Sequence, residues 1–180
     1  STHGRGGFQR LWLGSVADHL LRHLDVPLLL LRHHETQMHD SRMAFRRMLI
    51  PLDGSERAEA VIEPALVLCP PPTAEIALVR VVPPSEDGVV EGRGAAAVYL
   101  DEVADQLERR GCRVSTTVVV SESPAQAILD QGRPEATDCI AMATRGASGV
   151  RRLVLGSVTD KVVRGADVPV LALHPPGIEV

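Results

Sequence analysis

Gly146, a nine-residue spacer and the pair Gly156-Ser157 form the stretch of this chain best suited to hold an anion. Gly146 lets the backbone turn where a Cβ would clash. Gly156-Ser157 opens a helix, with Ser157 read as its N-cap and Asp160 three residues on at the capping-box position. The start of a helix leaves N–H groups without intrahelical partners and carries the positive end of the dipole, so a phosphate there satisfies both. The second group able to do chemistry is Asp53, in Asp53-Gly54-Ser55 directly after the apolar run Met48-Leu49-Ile50-Pro51-Leu52. Asp53-Gly54-Ser55 also reads as a plain turn with an N-cap, and Arg151-Arg152 as a solvated charged pair.

The glycine stretch occurs twice. Residues 1–32 repeat it at a shift of 142 positions, matching Thr2 to Thr144, Gly4 to Gly146, Gly7 to Gly149 and Arg10 to Arg152. Gly14, Ser15, Asp18 and Pro27 likewise match Gly156, Ser157, Asp160 and Pro169. The chain therefore reads as two copies of one unit, the first only a tail over 1–32, followed by a polar linker over 33–46 and a complete unit over 47–175.

In the complete unit, apolar runs alternate with helical patterns. Strands are expected over 48–52, 76–82, 114–120, 138–143 and 168–173. Helices are expected over 56–68, 95–110 (Val98, Val103 and Leu107 at helical spacing, Gly111 as cap), from Pro124 with Ala127 and Ile128 inward, and over 157–164 with Gly165 as cap. Residues 85–95 read as a loop with Gly88, Gly92 and Gly94. In the tail, 15–23 reads as helix with Val16, Leu20 and Leu21 on one side, and 26–32 as an apolar strand. Alternating strands and helices imply α/β architecture: a doubly wound, five-stranded parallel sheet of order 3-2-1-4-5, plus an extra loop-helix-strand from the partial repeat. Ligands of such sheets bind beyond the carboxyl ends of the strands at the switch point. In that order, Asp53 and the glycine loop follow neighbouring strands.

Composition limits the alternatives. The chain has 180 residues, 44% hydrophobic and only 2% aromatic, so its core is aliphatic and stacking on single-stranded nucleic acid is disfavoured. The net charge of −4 leaves no footprint for DNA or RNA. No apolar run is long enough to span a bilayer, no signal peptide is expected, and a cytoplasmic location is. Cys69, Cys112 and Cys139 show no CxxC spacing and suit buried thiols in a reducing compartment. His19, His23, His33, His34 and His39 read as solvent-facing, since no carboxylate or cysteine completes a metal set.

The residues of 47–174 resemble the universal stress proteins, in particular their ATP-binding branch. The resemblance rests on Leu49-Ile50-Pro51-Leu52-Asp53-Gly54-Ser55, Leu78-Val79-Arg80-Val81-Val82, Ser123-Pro124-Ala125-Gln126-Ala127, Ala136 through Gly146, and Gly156-Ser157-Val158 with Val168-Pro169-Val170. It implies a Rossmann-like fold of the adenine nucleotide alpha hydrolase type, and a tandem protein whose first domain is truncated. The family motif Gly-x2-Gly-x9-Gly-Ser/Thr is met at Gly146, Gly156 and Ser157, with Ala143 in place of the first glycine and Glu122 where glycine usually precedes Ser-Pro.

By resemblance, Asp53 holds ribose hydroxyls, and Pro51, Leu52 and Val81 line an adenine pocket. Met142, Ala143, Arg145 and Gly146 border ribose and phosphates, and Gly156, Ser157, Val158 and Thr159 bind phosphates. Val81 and Met142 also fit plain core positions. The implied ligand is ATP, with or without Mg. The implied partner is a second copy, as a homodimer paired through the last strand, and 26–31 is expected against 168–173 within the chain or between chains. No nucleophile–base pair and no Walker lysine is present, so a regulatory ATP-binding role leads. A slow ATPase or adenylyl-transfer enzyme, and a non-nucleotide dimerisation scaffold, are the alternatives.

Overall fold

The computed structural model describes residues 17, 19–21, 24, 26–31, 45–84, 89–144 and 156–175. The strands are β1 (Leu28–Leu30), β2 (Arg47–Pro51), β3 (Glu75–Val82), β4 (Arg113–Val120), β5 (Cys139–Ala143) and β6 (Val170–Leu173). The helices of the same region are α1 (Glu56–Glu59), α2 (Ile62–Leu68), α3 (Val89–Arg109), α4 (Pro124–Gln131) and α5 (Ser157–Gly165).

The strands form one six-stranded sheet of order β1-β6-β5-β2-β3-β4. The expected count of five is corrected. β1 joins the sheet antiparallel to β6, with Leu28 opposite Ala172 and Leu30 opposite Val170, while the other pairings are parallel. Strand β6 would otherwise present a row of open N–H and C=O groups beside apolar side chains, and pairing removes that edge. The pairing of 26–31 with 168–173 is thus made within one chain. Ala17 and His19–Leu21 are helical, and Leu21, 1% exposed, packs with Leu28, Leu30 and Ala172.

Strand side chains alternate between two cores. Met48, Ile50, Leu52, Ile76, Leu78, Cys139, Ala141 and Leu171 face Ala58 of α1, Ala65 of α2, and Leu100, Val103 and Leu107 of α3. Leu49, Val79, Ile140, Met142 and Val170 face Ala125 and Ile128 of α4 and Val162 of α5. Burial on both faces explains why these strands read as continuous apolar runs.

Several expected elements change. The helix over 56–68 breaks at Ala60-Val61, because Pro64 has no N–H for the Ala60 carbonyl and its ring crowds that turn. The third helix starts at Val89, so residues 89–95 of the expected loop, with Gly92 and Gly94, are helical, while 85–88 with Gly88 lie outside the described residues; a Cβ at Gly92 or Gly94 would meet nothing within 4 Å. Val98 is 60% exposed, and the buried stripe is Ala96, Leu100, Val103 and Leu107. Gly111 does end that helix in the left-handed region, at φ +92, with the Cys112 N–H reaching back to the Leu107 carbonyl. The last helix runs through Gly165 and is capped by Ala166. Gly165 serves close packing instead, since a Cβ there would stand 2.7 Å from Cδ1 of Leu129 on α4.

Candidate functional site

Strand β2 is where the chain reverses direction across the sheet, with β3 on one side and β5 on the other. Helix α1 leaves β2 onto one face and α5 follows β5 onto the other, which makes the carboxyl ends of β2 and β5 the switch point where sheets of this kind form a ligand crevice. Leu49 pairs with Ile140 in register. Asp53 and Thr144 each lie four residues beyond that pair, so both stand at this end of the sheet.

The turn after β2 has a defined geometry. Asp53 Oδ1 accepts from the Ser55 N–H at 3.0 Å and from the Ser55 hydroxyl at 2.6 Å. Ser55 Oγ in turn accepts from Ala58 N–H at 3.2 Å and caps α1. Gly54 sits at φ +88, a conformation that favours glycine. A carboxylate has roughly four acceptor positions, and both Ser55 bonds fall on Oδ1. Asp53 is exposed at the rim of the crevice.

Across β5, the start of α5 is fastened to the strand tip. The Gly156 N–H donates to the Thr144 carbonyl at 2.9 Å, and the Thr159 hydroxyl donates to the buried Ala143 carbonyl at 3.0 Å. The N-cap is Gly156, not Ser157, and it brings no side-chain bond; Ser157 is the first helical residue and is exposed. Glycine is required sterically, since a Cβ would stand 2.9 Å from the Thr144 carbonyl oxygen. Asp160 does not close a capping box; it pairs with Arg164 at 2.9 Å along the helix. Among the described residues, none supplies an acceptor to the N–H groups of Ser157, Val158 and Thr159. Thr159, 4% exposed, has donated its one O–H within the protein, so its backbone N–H is the donor left to it.

Pro51, Val81 and Met142 share the sheet face that carries α5. Met142 belongs to the second core, with Val81 and Val158 packed against it. Leu52 turns the other way and is 3% exposed in the first core, so its side chain is not brought to that face. Alternation along β5 puts the methyl of Ala143 on the α1 face with Cys139 and Ala141, away from Met142. Arg145 and Gly146, with Arg151 and Arg152, lie outside the described residues.

Three side chains at this end were not singled out from the sequence. His174 Nδ1 lies 2.9 Å from the hydroxyl of the buried Thr144. Arg80 stacks on Tyr99, with its guanidinium carbon 5.0 Å from the ring centre. The available sign of Arg80 was a charged residue inside an otherwise apolar strand; nothing local marks His174 or Tyr99.

A depression of about 420 Å³ lies at the opposite end of the sheet, lined by Arg47, Glu75, Arg113 and their neighbours. Its charges are already matched, Arg113 with Glu75 and Arg47 with Asp138 at 2.6 Å, which marks it as structural. Burial pushes the Asp138 carboxyl up, but hydrogen bonds from the Arg47 side chain and from the Arg46 and Arg47 N–H groups outweigh it and hold it below the usual range. All three cysteines are buried and none is in a disulfide, and burial pushes the Cys69 thiol up to about 11. Among the described residues no group of three or more His, Cys, Asp or Glu is placed to hold a metal, and no helix is long and apolar enough to cross a membrane.

Similarity to known proteins agrees with this architecture. Universal stress protein YxiE of Bacillus subtilis is 24% identical over 150 residues, covering 72% of this chain and 99% of that protein. Universal stress protein Rv2623 of Mycobacterium tuberculosis is 27% identical over 177 residues; the match takes in 93% of this chain but only 58% of that protein. The crystal structure of a universal stress protein from Archaeoglobus fulgidus superposes at a TM-score of 0.72 with 26% identity, over 98% of this chain and 61% of that one. The sequence model of the Universal stress protein family matches residues 1–32 and 44–174, and on that ground this chain belongs to the universal stress protein family.

Proposed function

We propose that this chain is an ATP-binding regulatory module of the stress response. The observation that carries the reading is the meeting, at neighbouring strand tips, of the Asp53 turn and the amino end of α5. The N–H groups of Ser157, Val158 and Thr159, together with the helix dipole, suit the phosphates. The exposed Asp53 carboxylate suits ribose hydroxyls, and Pro51, Val81 and Met142 give the base an apolar wall on the same face as α5. The Ala143 methyl is compatible with this reading, because it lies on the other face of β5. Two proteins sharing the fold are described in complex with cAMP and dAMP, at 21% and 20% identity, and those likenesses speak for the fold alone.

The tandem organisation, with 1–32 as the end of a first unit and 47–175 as a complete second one, is part of the proposal and is supported by the repeat. Three buried cysteines outside any disulfide fit the cytoplasm. A homodimer through the last strand requires β1 to release the edge of β6, and light scattering on the intact chain reads that directly. The deciding experiment is titration calorimetry with MgATP on the wild type and Asp53→Asn. Saturable binding weakened roughly tenfold or more by the substitution is the expected result. Absence of binding at millimolar MgATP rejects the reading.

A further inference from the structure

Arg80 stands between Val79 and Val81 on β3, and alternation with the buried Leu78 and Val82 puts it on the face carrying α1 and α3. One side of its guanidinium rests over the Tyr99 ring of α3 at 5.0 Å. The Tyr99 hydroxyl donates to Glu59 Oε1 of α1 at 2.8 Å, which fixes the ring. The guanidinium also lies close to Gly54: a Cβ there would stand 3.0 Å from Nη1 and Nη2 and 3.1 Å from Cζ. The guanidinium thus neighbours both an anchored ring and the turn that carries Asp53. Among the described residues no carboxylate forms a salt bridge with it. Asp53, Arg80, Glu59 and Tyr99 nonetheless form one electrostatic group. Burial first, then the Glu59 bond, push the Tyr99 hydroxyl well above its ordinary value; Arg80 pulls it down and Asp53 adds to the rise.

We propose that Arg80 is a positioning residue for ribose recognition: stacked on Tyr99, it sets the height and tilt of the Gly54 turn and so aims the Asp53 carboxylate at the sugar hydroxyls. This inference rests on the nucleotide reading above. A planar, delocalised guanidinium can stack on the ring while a compact ammonium cannot, so lysine is not equivalent.

The test compares ATP with 2′,3′-dideoxyATP, which lacks both hydroxyls, by calorimetry with Mg on the full chain. The wild type prefers ATP, and Asp53→Asn loses that preference. Arg80→Leu and Arg80→Lys lose most of the preference, roughly tenfold, while dideoxyATP affinity stays within about twofold. Adding Arg80→Leu to Asp53→Asn changes the ratio no further, as expected for two residues acting through one contact. Circular dichroism checks the fold. Should Arg80→Leu not fold, Tyr99→Leu, which removes the ring beneath the guanidinium, carries the same expectation.

A wild-type ratio in Arg80→Leu or Tyr99→Leu, with the ratio lost in Asp53→Asn, overturns the role of Arg80 and leaves the nucleotide reading standing. A wild type that binds neither nucleotide, or both equally, overturns the ribose role of Asp53 and this inference with it.

Discussion

Replacing Gly156 by alanine tests whether the tie between β5 and α5 is as tight as described. Gly156 has φ −56 and ψ 140, a conformation open to any residue, so the substitution carries no backbone penalty and its cost is steric. The new methyl would stand 2.9 Å from the Thr144 carbonyl oxygen. That carbonyl cannot easily retreat. It accepts the Gly156 N–H at 2.9 Å, and the Thr144 N–H is held by the Leu173 carbonyl at 2.7 Å. Overpacking of a fixed site costs about 1–3 kcal/mol, so about 2 kcal/mol is expected. For a domain of this size that lowers the midpoint of thermal unfolding by about 4–8 °C. Gly92→Ala is the control, because nothing lies within 4 Å of its Cβ and the site is an exposed turn of α3. There the same change should stabilise, by about 0.5–1 kcal/mol, through helix propensity and a less flexible unfolded chain. Urea titration of both variants beside the wild type reads the pair. A Gly156→Ala variant within about 0.5 kcal/mol of wild type would refute the close contact.

Thr159→Val removes the hydroxyl that bonds the buried Ala143 carbonyl and should cost about 1–2 kcal/mol in urea unfolding, whereas Thr159→Ser keeps the donor and should lose less. Asp138→Asn should lower the urea midpoint at neutral pH. Because the folded carboxyl is held below its unfolded value of about 3.9, its contribution is fully present above that pH and is lost as pH falls through the lower folded value. The gap between wild type and variant should therefore close below about pH 4; a gap that widens on acidification would contradict the assigned shift. Gly165→Ala should drive Leu129 out of its place between α4 and α5 and lower the thermal midpoint, and an unchanged midpoint would show that the leucine end yields freely.

Local chemistry determined a good deal of this protein. Apolar runs buried on both faces, helical spacing between them and the left-handed Gly111 are properties of neighbouring residues, and they were legible as the β and α elements around the crevice. Asp53 and the Gly156-Ser157 helix start were legible too, because turn and helix-start residues announce themselves over three or four positions. The break before Pro64 lay within reach of the same reasoning. The outward turn of Val98 did not, since spacing defines a stripe but not which stripe finds the sheet. Tertiary structure alone decided the contacts between distant residues: β1 against β6, the Thr159 hydroxyl on the Ala143 carbonyl, Gly165 against Leu129, and Arg80 between Tyr99 and Gly54. Hydrogen bonds and close packing act over a few ångströms of space, and only the folded chain brings those partners within that range.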